Sequence, residues 1–191
     1  AIGDSALYNN GLGVLSVGNA IANTAVGSKA LYANTDGAYH TALGYRALYS
    51  NTTGRFNTAT GATALYSNNT GNQNTANGIQ ALYSNTTGSS NTAIGENAMY
   101  FNQTGIENTA TGASSLYRNT GSENTAHGYG ALTNNTSGFQ NTAVGHRALN
   151  DNNLGNYNTA TGWHALYTND GSNNTATGYV ALNSNTTGGD N

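Results

Sequence analysis

Between Asn23 and Asp190 the chain says nearly the same thing ten times. The copies begin at Asn23, His40, Asn57, Asn74, Asn91, Asn108, Asn124, Asn141, Asn158 and Asn174; eight have 17 residues, and those from Asn108 and Asn158 have 16. A unit this short cannot bury a core of its own. It must stack on the next copy and present the same shape to it, so the period predicts a solenoid before any composition is weighed.

Written as columns, the unit is N-T-A-x-G-x-x-A-L-Y-x-N-T-T-G-x-x. Thr in column 2 (Thr24 to Thr175), Ala in column 3 (Ala25 to Ala176), and Gly in columns 5 (Gly27 to Gly178) and 15 (Gly37 to Gly188) never vary. The glycines cut the unit into stretches too short for a stable helix, and Thr and Asn are poor helix formers. "NTAxG" and "ALY" therefore read as two short strands, with "NTTG" as turn chemistry in which Asn bonds the backbone and Gly supplies a positive φ. The expected fold class is all-β: a parallel β-solenoid of about 17 residues per coil, roughly 50 Å long at about 4.8 Å per rung. The two short copies lose a residue near Asn119 and Asp170, within the turn. Like residues should stack on like, giving a Thr ladder, an Asn ladder, and a Tyr ladder from Tyr32 through Tyr117 that is broken at Thr133, Asn150 and Asn183.

Alternation along a strand sends neighbouring residues to opposite faces, yet columns 8 and 9 are Ala and Leu in nearly every copy. With the small Ala of columns 3 and 8 lining the inside, the second apolar column points out and needs cover. That column is Leu31, Leu48, Leu65, Leu82, Met99, Leu116, Leu132, Leu149, Leu166 and Leu182. It is the expected interchain seam, through which coils borrow burial from partner chains. The competing arrangement is a thicker monomeric coil with Leu inside and Ala outside. Residues 1–22 are expected to form irregular leading coils, with "NNGLGVLSVGNAIA" as a shortened pair. Residues 23–191 form the ten-copy array, which breaks off at Asn191 in column 1 of a further copy and is expected to continue.

"NTAIGENAM" at residues 91–99 and "NTAVGSKAL" at 23–31 resemble the repeats in the heads of trimeric autotransporter adhesins. The longer "NTAxGxxAL…NTTG" arrays are similar to repeat regions of phage-type tail fibres. The resemblance spans residues 23–191. It implies a left-handed parallel β-roll, three chains around one axis, and an extracellular, cell-surface or virion location. The adhesin heads carry apolar residues around the Ala where this chain has Thr, and its unit is longer.

Composition narrows the chemistry. Five Lys and Arg against eight Asp and Glu give a net charge of −3, no footprint for a polyanion such as nucleic acid. No apolar run is long enough to insert into a membrane in this segment, and the absence of Cys removes thiolate sites and disulfides. A polysaccharide-cleaving tailspike needs paired carboxylates. Glu107 and Glu123, in the last column of adjacent copies, are the nearest approach to such a pair. His40, His127, His146 and His164 fall in four different columns, so no metal or other cofactor is expected, unless three copies of His127 meet on a three-fold axis. The N-x-[ST] triplets at Asn51, Asn68, Asn85, Asn102, Asn134, Asn135, Asn173 and Asn185 arise mostly from the turn.

Function then rests with the variable columns. Aromatics there, above all Tyr45, Tyr129, Trp163 and Tyr179, are candidate surface-binding residues for a host receptor, matrix protein or glycan. The expected role is a non-enzymatic structural and adhesive fibre segment. A different class is binding to ice or another crystalline surface through the Thr ladder, which T-A-T extends at Thr58/Thr60, Thr109/Thr111, Thr159/Thr161 and Thr175/Thr177.

Overall fold

The computed structural model describes residues 1–12 and 20–191. They form an all-β parallel solenoid in which each repeat is one coil. Ten three-residue strands, from Thr24–Val26 to Thr175–Thr177, pair in parallel into a single sheet. Register is strict: Thr58 lies on Thr75 and Ala59 on Ala76, and every other rung repeats this. In each strand the central Ala points inward and is buried, while Thr and the column-4 residue point out, the period of two that a strand imposes.

The "ALY" segment is not a strand. Every Leu of column 9 has a left-handed backbone, with φ from 47° at Leu182 to 52° at Leu48, and column 7 does the same at Arg46 (53°), Gln80 (58°) and His164 (54°). Alternating hands of φ coil the segment into successive turns. Turn hydrogen bonds such as Asn68 N–H to the Leu65 carbonyl (3.2 Å) hold it locally. Coil-to-coil bonds such as Leu65 N–H to the Ala81 carbonyl (3.0 Å) tie it to the next rung.

This overturns the interchain seam. Once the backbone at Leu is left-handed, Ala and Leu no longer face opposite ways; both turn inward. Leu31, Leu48, Leu65, Leu82, Met99, Leu116, Leu132, Leu149 and Leu166 are fully buried inside their own winding, between the Ala of columns 3 and 8. Only Leu182, in the last coil, is partly open at 43%. The thicker coil with Ala outside fails too, because both columns are interior. The column-9 side chains therefore need no cover from a second chain, and the whole surface, 7964 Å², is below the roughly 8,500 Å² that a compact 19.5 kDa monomer exposes.

The rest of the interior is polar. Asn is buried in column 1 from Asn57 to Asn174 and in column 12 from Asn34 to Asn169, and its amides form two ladders parallel to the axis. In column 12, Asn68 Nδ2 donates to Asn51 Oδ1 (2.8 Å) and to the Gly71 carbonyl (3.1 Å), and Asn85 Nδ2 donates to Asn68 Oδ1 (2.7 Å). In column 1, Asn57 Nδ2 donates to the same Gly71 carbonyl (2.7 Å), while Asn57 Oδ1 accepts from the Asn74 N–H (2.9 Å). Each column-15 glycine thus lies under two Asn side chains. A Cβ at Gly71 would strike the Gly88 carbonyl and the Asn68 amide, so this glycine answers to close approach and not to the positive φ expected of it. The shortened corners keep the bond: Asn119 Nδ2 reaches the Gly121 carbonyl at 2.8 Å across one residue fewer. Around them Arg118–Asn119 pairs with Asn134–Asn135, and Thr168–Asn169 with Ser184–Asn185, as small second sheets.

The leading residues are more regular than expected. Ile2 bridges Val26, Leu7 N–H donates to the Ala30 carbonyl (3.0 Å), and Tyr8 stacks on Tyr32 at 5.3 Å. Asn10 takes the column-12 place, donating to the Ala20 carbonyl (2.9 Å) as Asn34 donates to that of Gly37 (2.8 Å). The shortened pair of coils expected over 9–22 rests on residues 13–19, which lie outside the described residues.

Candidate functional site

With the invariant columns turned inward, the outer surface is built from the variable ones. Column 6 follows the glycine corner and projects from the coil. In the last four coils it reads Tyr129, His146, Trp163, Tyr179, and strict register converts these into a continuous stack. Ring centroids are 5.3 Å apart for Tyr129 and His146, 6.1 Å for His146 and Trp163, and 4.9 Å for Trp163 and Tyr179, all within 19° of parallel. Tyr129 (50%), Trp163 (42%) and Tyr179 (77%) are exposed. Three of the four candidate aromatics are therefore brought together, joined by His146. Tyr45 is not: it stands five rungs away with Ser28 and Ala62 in column 6 on either side, and its ring carries the guanidinium of Arg46 at 5.0 Å.

Beside this stack runs column 10. From Tyr8 through Tyr117 its tyrosines form an unbroken ladder, with centroids 5.0 to 5.4 Å apart, offset stacking of the kind aromatic rings prefer. Packing within it pushes the Tyr100 hydroxyl above its ordinary pKa of 10.0, chiefly by burial and then through Tyr83 and Tyr117. The ladder stops at Tyr117. Thr133 and Asn150 hold the next two places, and Tyr167 resumes it.

The two missing rings leave a slot of about 290 Å³, lined by Ser114, Tyr117, Tyr129, Gly130, Thr133, Arg147, Asn150 and Tyr167. Its polar floor is self-satisfied: Thr133 Oγ1 donates to the Gly130 carbonyl (2.7 Å), and Asn150 Nδ2 donates to that carbonyl (3.0 Å) and to Thr133 Oγ1 (2.9 Å). Gly130 replaces the side chain that column 7 carries elsewhere. Arg147, one rung on, places its guanidinium 5.9 Å from the Tyr129 ring. Above it His164 stacks on Trp163 (3.5 Å) and Tyr167 (4.6 Å); its Nε2 has no hydrogen-bond partner, and its pKa is lowered by burial first and by His146 and Arg147 after. The slot escaped the sequence reading, although its signal was present as the Thr133 and Asn150 breaks in a tyrosine column with Gly130 beside them.

The other sequence candidates disperse. Glu107 and Glu123 are exposed neighbours in column 17, and Glu123 accepts a hydrogen bond from Gln140 (2.7 Å). His127 is exposed on the outer face of the sheet beside Thr111. Among the described residues no three His, Cys, Asp or Glu side chains gather as a metal site would require. Asn51, Asn68, Asn85, Asn102 and Asn135 are fully buried members of the inner ladder, so the triplets they head are closed to glycosylation in the folded chain. The Thr rank is intact: all ten column-2 threonines lie in register on the outward face of the sheet.

No protein-family model, curated protein or solved structure matches this chain.

Proposed function

We propose that the chain is a rigid structural rod with an adhesive outer surface, a non-enzymatic segment of an extracellular fibre on a bacterial surface or virion. The observation that carries this reading is the division of labour between columns. Every invariant column serves the stack, either as core or as corner, apart from the outward Thr of column 2, and the residues that differ between copies are on the outside. Such a stack sets length and stiffness through the core while leaving the surface free to present different side chains at about 4.8 Å intervals, a geometry suited to multivalent contact. The resemblance of "NTAIGENAM" to adhesin heads supports the same class. The test is binding of the intact chain to arrays of glycans and matrix proteins, beside Tyr129→Ala/Trp163→Ala/Tyr179→Ala. Retention that falls at least tenfold in the triple variant supports the reading; no retention on any array, with no attachment to cells, counts against it.

A homotrimer is part of this reading, and the outer sheet face, where Leu43, Ile94 and Val144 stand exposed among the threonines, is one surface that could form it. Light scattering at about three times 19.5 kDa supports it, whereas a mass near 19.5 kDa removes the trimer and leaves the rod.

The ten-deep Thr rank favours a second reading, a crystalline-surface binder, because its hydroxyls and methyls repeat on a regular parallel lattice. Column 4 adds a second Thr in only four copies, so the second rank is incomplete. Measurement of the gap between melting and freezing points decides: absence of a gap at millimolar protein rejects it.

A further inference from the structure

We infer that the slot between Tyr117 and Tyr167 is a binding site for a small planar aromatic molecule of the phenol class, which completes the interrupted tyrosine ladder. This goes beyond the rod reading and does not depend on it, since the slot is a property of four adjacent coils.

The argument begins with what the molecule does elsewhere along the same column. At the rung of Tyr49, a phenol ring is held between Tyr32 and Tyr66, with centroids at 5.2 and 5.1 Å and planes within 5°. The column-7 guanidinium of Arg46 lies 5.6 Å from the same ring. Two stacking faces and one cation thus make a phenol site that the chain fills with its own side chain. Over the rungs of Thr133 and Asn150 the rings are missing and the same kinds of part border the gap, with Tyr117 at one end and Tyr167 at the other. Arg147 occupies column 7 as Arg46 does. Tyr117 pairs with Tyr100 (5.4 Å) and edge-on with Phe101 (5.3 Å), and has no aromatic partner on the side facing the slot. Tyr167 stacks only with His164 (4.6 Å). The two tyrosines are three rungs apart, about 14 Å, the room two stacked rings take in the intact ladder.

The surroundings define the ligand further. Tyr129 walls one side, Gly130 opens the space a column-7 side chain would cover, and the floor, its donors spent internally, offers the acceptor oxygens of Asn150 and Thr133 to a ligand hydroxyl. A ring stacks on Tyr117 or Tyr167, meets the Arg147 cation over its face, and points a hydroxyl toward the floor. Arg147 makes no ion pair with any described carboxylate, so its charge is available to a π face. At about 290 Å³ the slot is at the small end of ligand sites, fitted to one or two single rings rather than a chain of sugars.

The experiment uses the whole chain and p-cresol, the tyrosine side chain as a free molecule. Amide resonances of Gly130, Thr133 and Asn150 are followed by NMR as p-cresol is added, with cyclohexylmethanol and cellobiose as the saturated-ring and sugar arms. Saturable shifts at those amides with p-cresol, at least fivefold weaker with either other arm, are expected. Thr133→Tyr/Asn150→Tyr fills the slot with the residue the column already uses, so it folds, and it should lose the shifts at least tenfold. Arg147→Gln should weaken binding about two- to fivefold. The proposal is overturned by equal binding of cyclohexylmethanol, by cellobiose binding more tightly than p-cresol, by unchanged binding in the filled variant, or by no saturable shift at millimolar p-cresol.

Discussion

Ala64 and Leu65 are adjacent in the chain and face the same interior, because Leu65 sits at a φ of 50° where an extended strand would have turned it outward. That single torsion decides whether the solenoid closes on itself. Each Leu then packs between the Leu of the coils above and below. Leu65→Ala leaves a cavity within this file and should cost about 2 to 5 kcal/mol, read as a lower denaturation midpoint. The sedimentation coefficient of the folded variant should not change. A loss under about 1 kcal/mol accompanied by dissociation of an oligomer would instead place the side chain at an interface.

Gly61 carries two requirements at once. Its φ is 127°, a region closed to L side chains, and a Cβ would approach the Gly78 carbonyl oxygen to 2.5 Å. Gly61→Ala therefore should cost about 3 kcal/mol or more. Gly130 is the contrasting case: at φ 63° it shares the left-handed basin where column 7 accepts Arg, Gln and His, so Gly130→Ala should cost only about 1 kcal/mol. Equal losses in urea titrations of the two variants would refute the distinction.

Register and coil length were readable from the sequence because a repeat of 17 can stack only in phase. The inward Ala of column 3 followed from ordinary strand alternation at Thr58–Thr60. What the sequence did not disclose was the hand of the backbone at columns 7, 9 and 17. Gly130 alone among them is a glycine: Arg46, Leu48 and Phe56 all hold positive φ with their N–H groups bonded to neighbouring coils and not through local preference. A Leu in that basin costs about 1 to 2 kcal/mol locally, and burial of its side chain outweighs this at about 1.5 to 3 kcal/mol. The aromatic stack was half legible, since Tyr129, Trp163 and Tyr179 stand out in a variable column, but His146 joins it only through register. The slot is defined by residues that are missing from a pattern, and its cation, Arg147, is visible only once column 7 is seen to lean over column 10.

Asn68 tests whether the polar interior is structural. Among the described residues its amide is the only donor to Asn51 Oδ1, and its carbonyl accepts from Asn85. Asn68→Leu is close in volume and adds apolar burial, yet it strands one acceptor fully and removes a partner from Asn85. The stranded group should dominate, for a net loss of about 1 to 3 kcal/mol. Asn69→Ala, on the exposed position next to it, should be within about 0.5 kcal/mol of the parent. A stabilised Asn68→Leu would mean that apolar packing, not the amide ladder, limits this core.

His40 holds the place that Asn fills in every other copy, and its ring takes up the same duties. Nδ1 accepts from the Asn57 N–H (3.2 Å) and Nε2 donates to the Gly54 carbonyl (2.7 Å), which requires the neutral tautomer with its proton on Nε2. Protonating Nδ1 would set two donors face to face in a buried site. Burial accordingly pushes the His40 pKa below the ordinary 6.5, outweighing the upward pull of the Gly54 carbonyl. With the folded value below the unfolded one, the unfolded chain binds more protons in the interval between them. The contribution to stability is complete above about pH 6.5 and is lost as pH falls from there toward the folded value. Melting temperatures of the parent and His40→Asn, measured from pH 7.5 to 4.5, should diverge over that interval, the parent falling more steeply while the carboxylates shared by both cancel. His40→Asn restores the ladder residue and should keep the fold; parallel curves across the whole range would show that this imidazole does not couple protonation to folding.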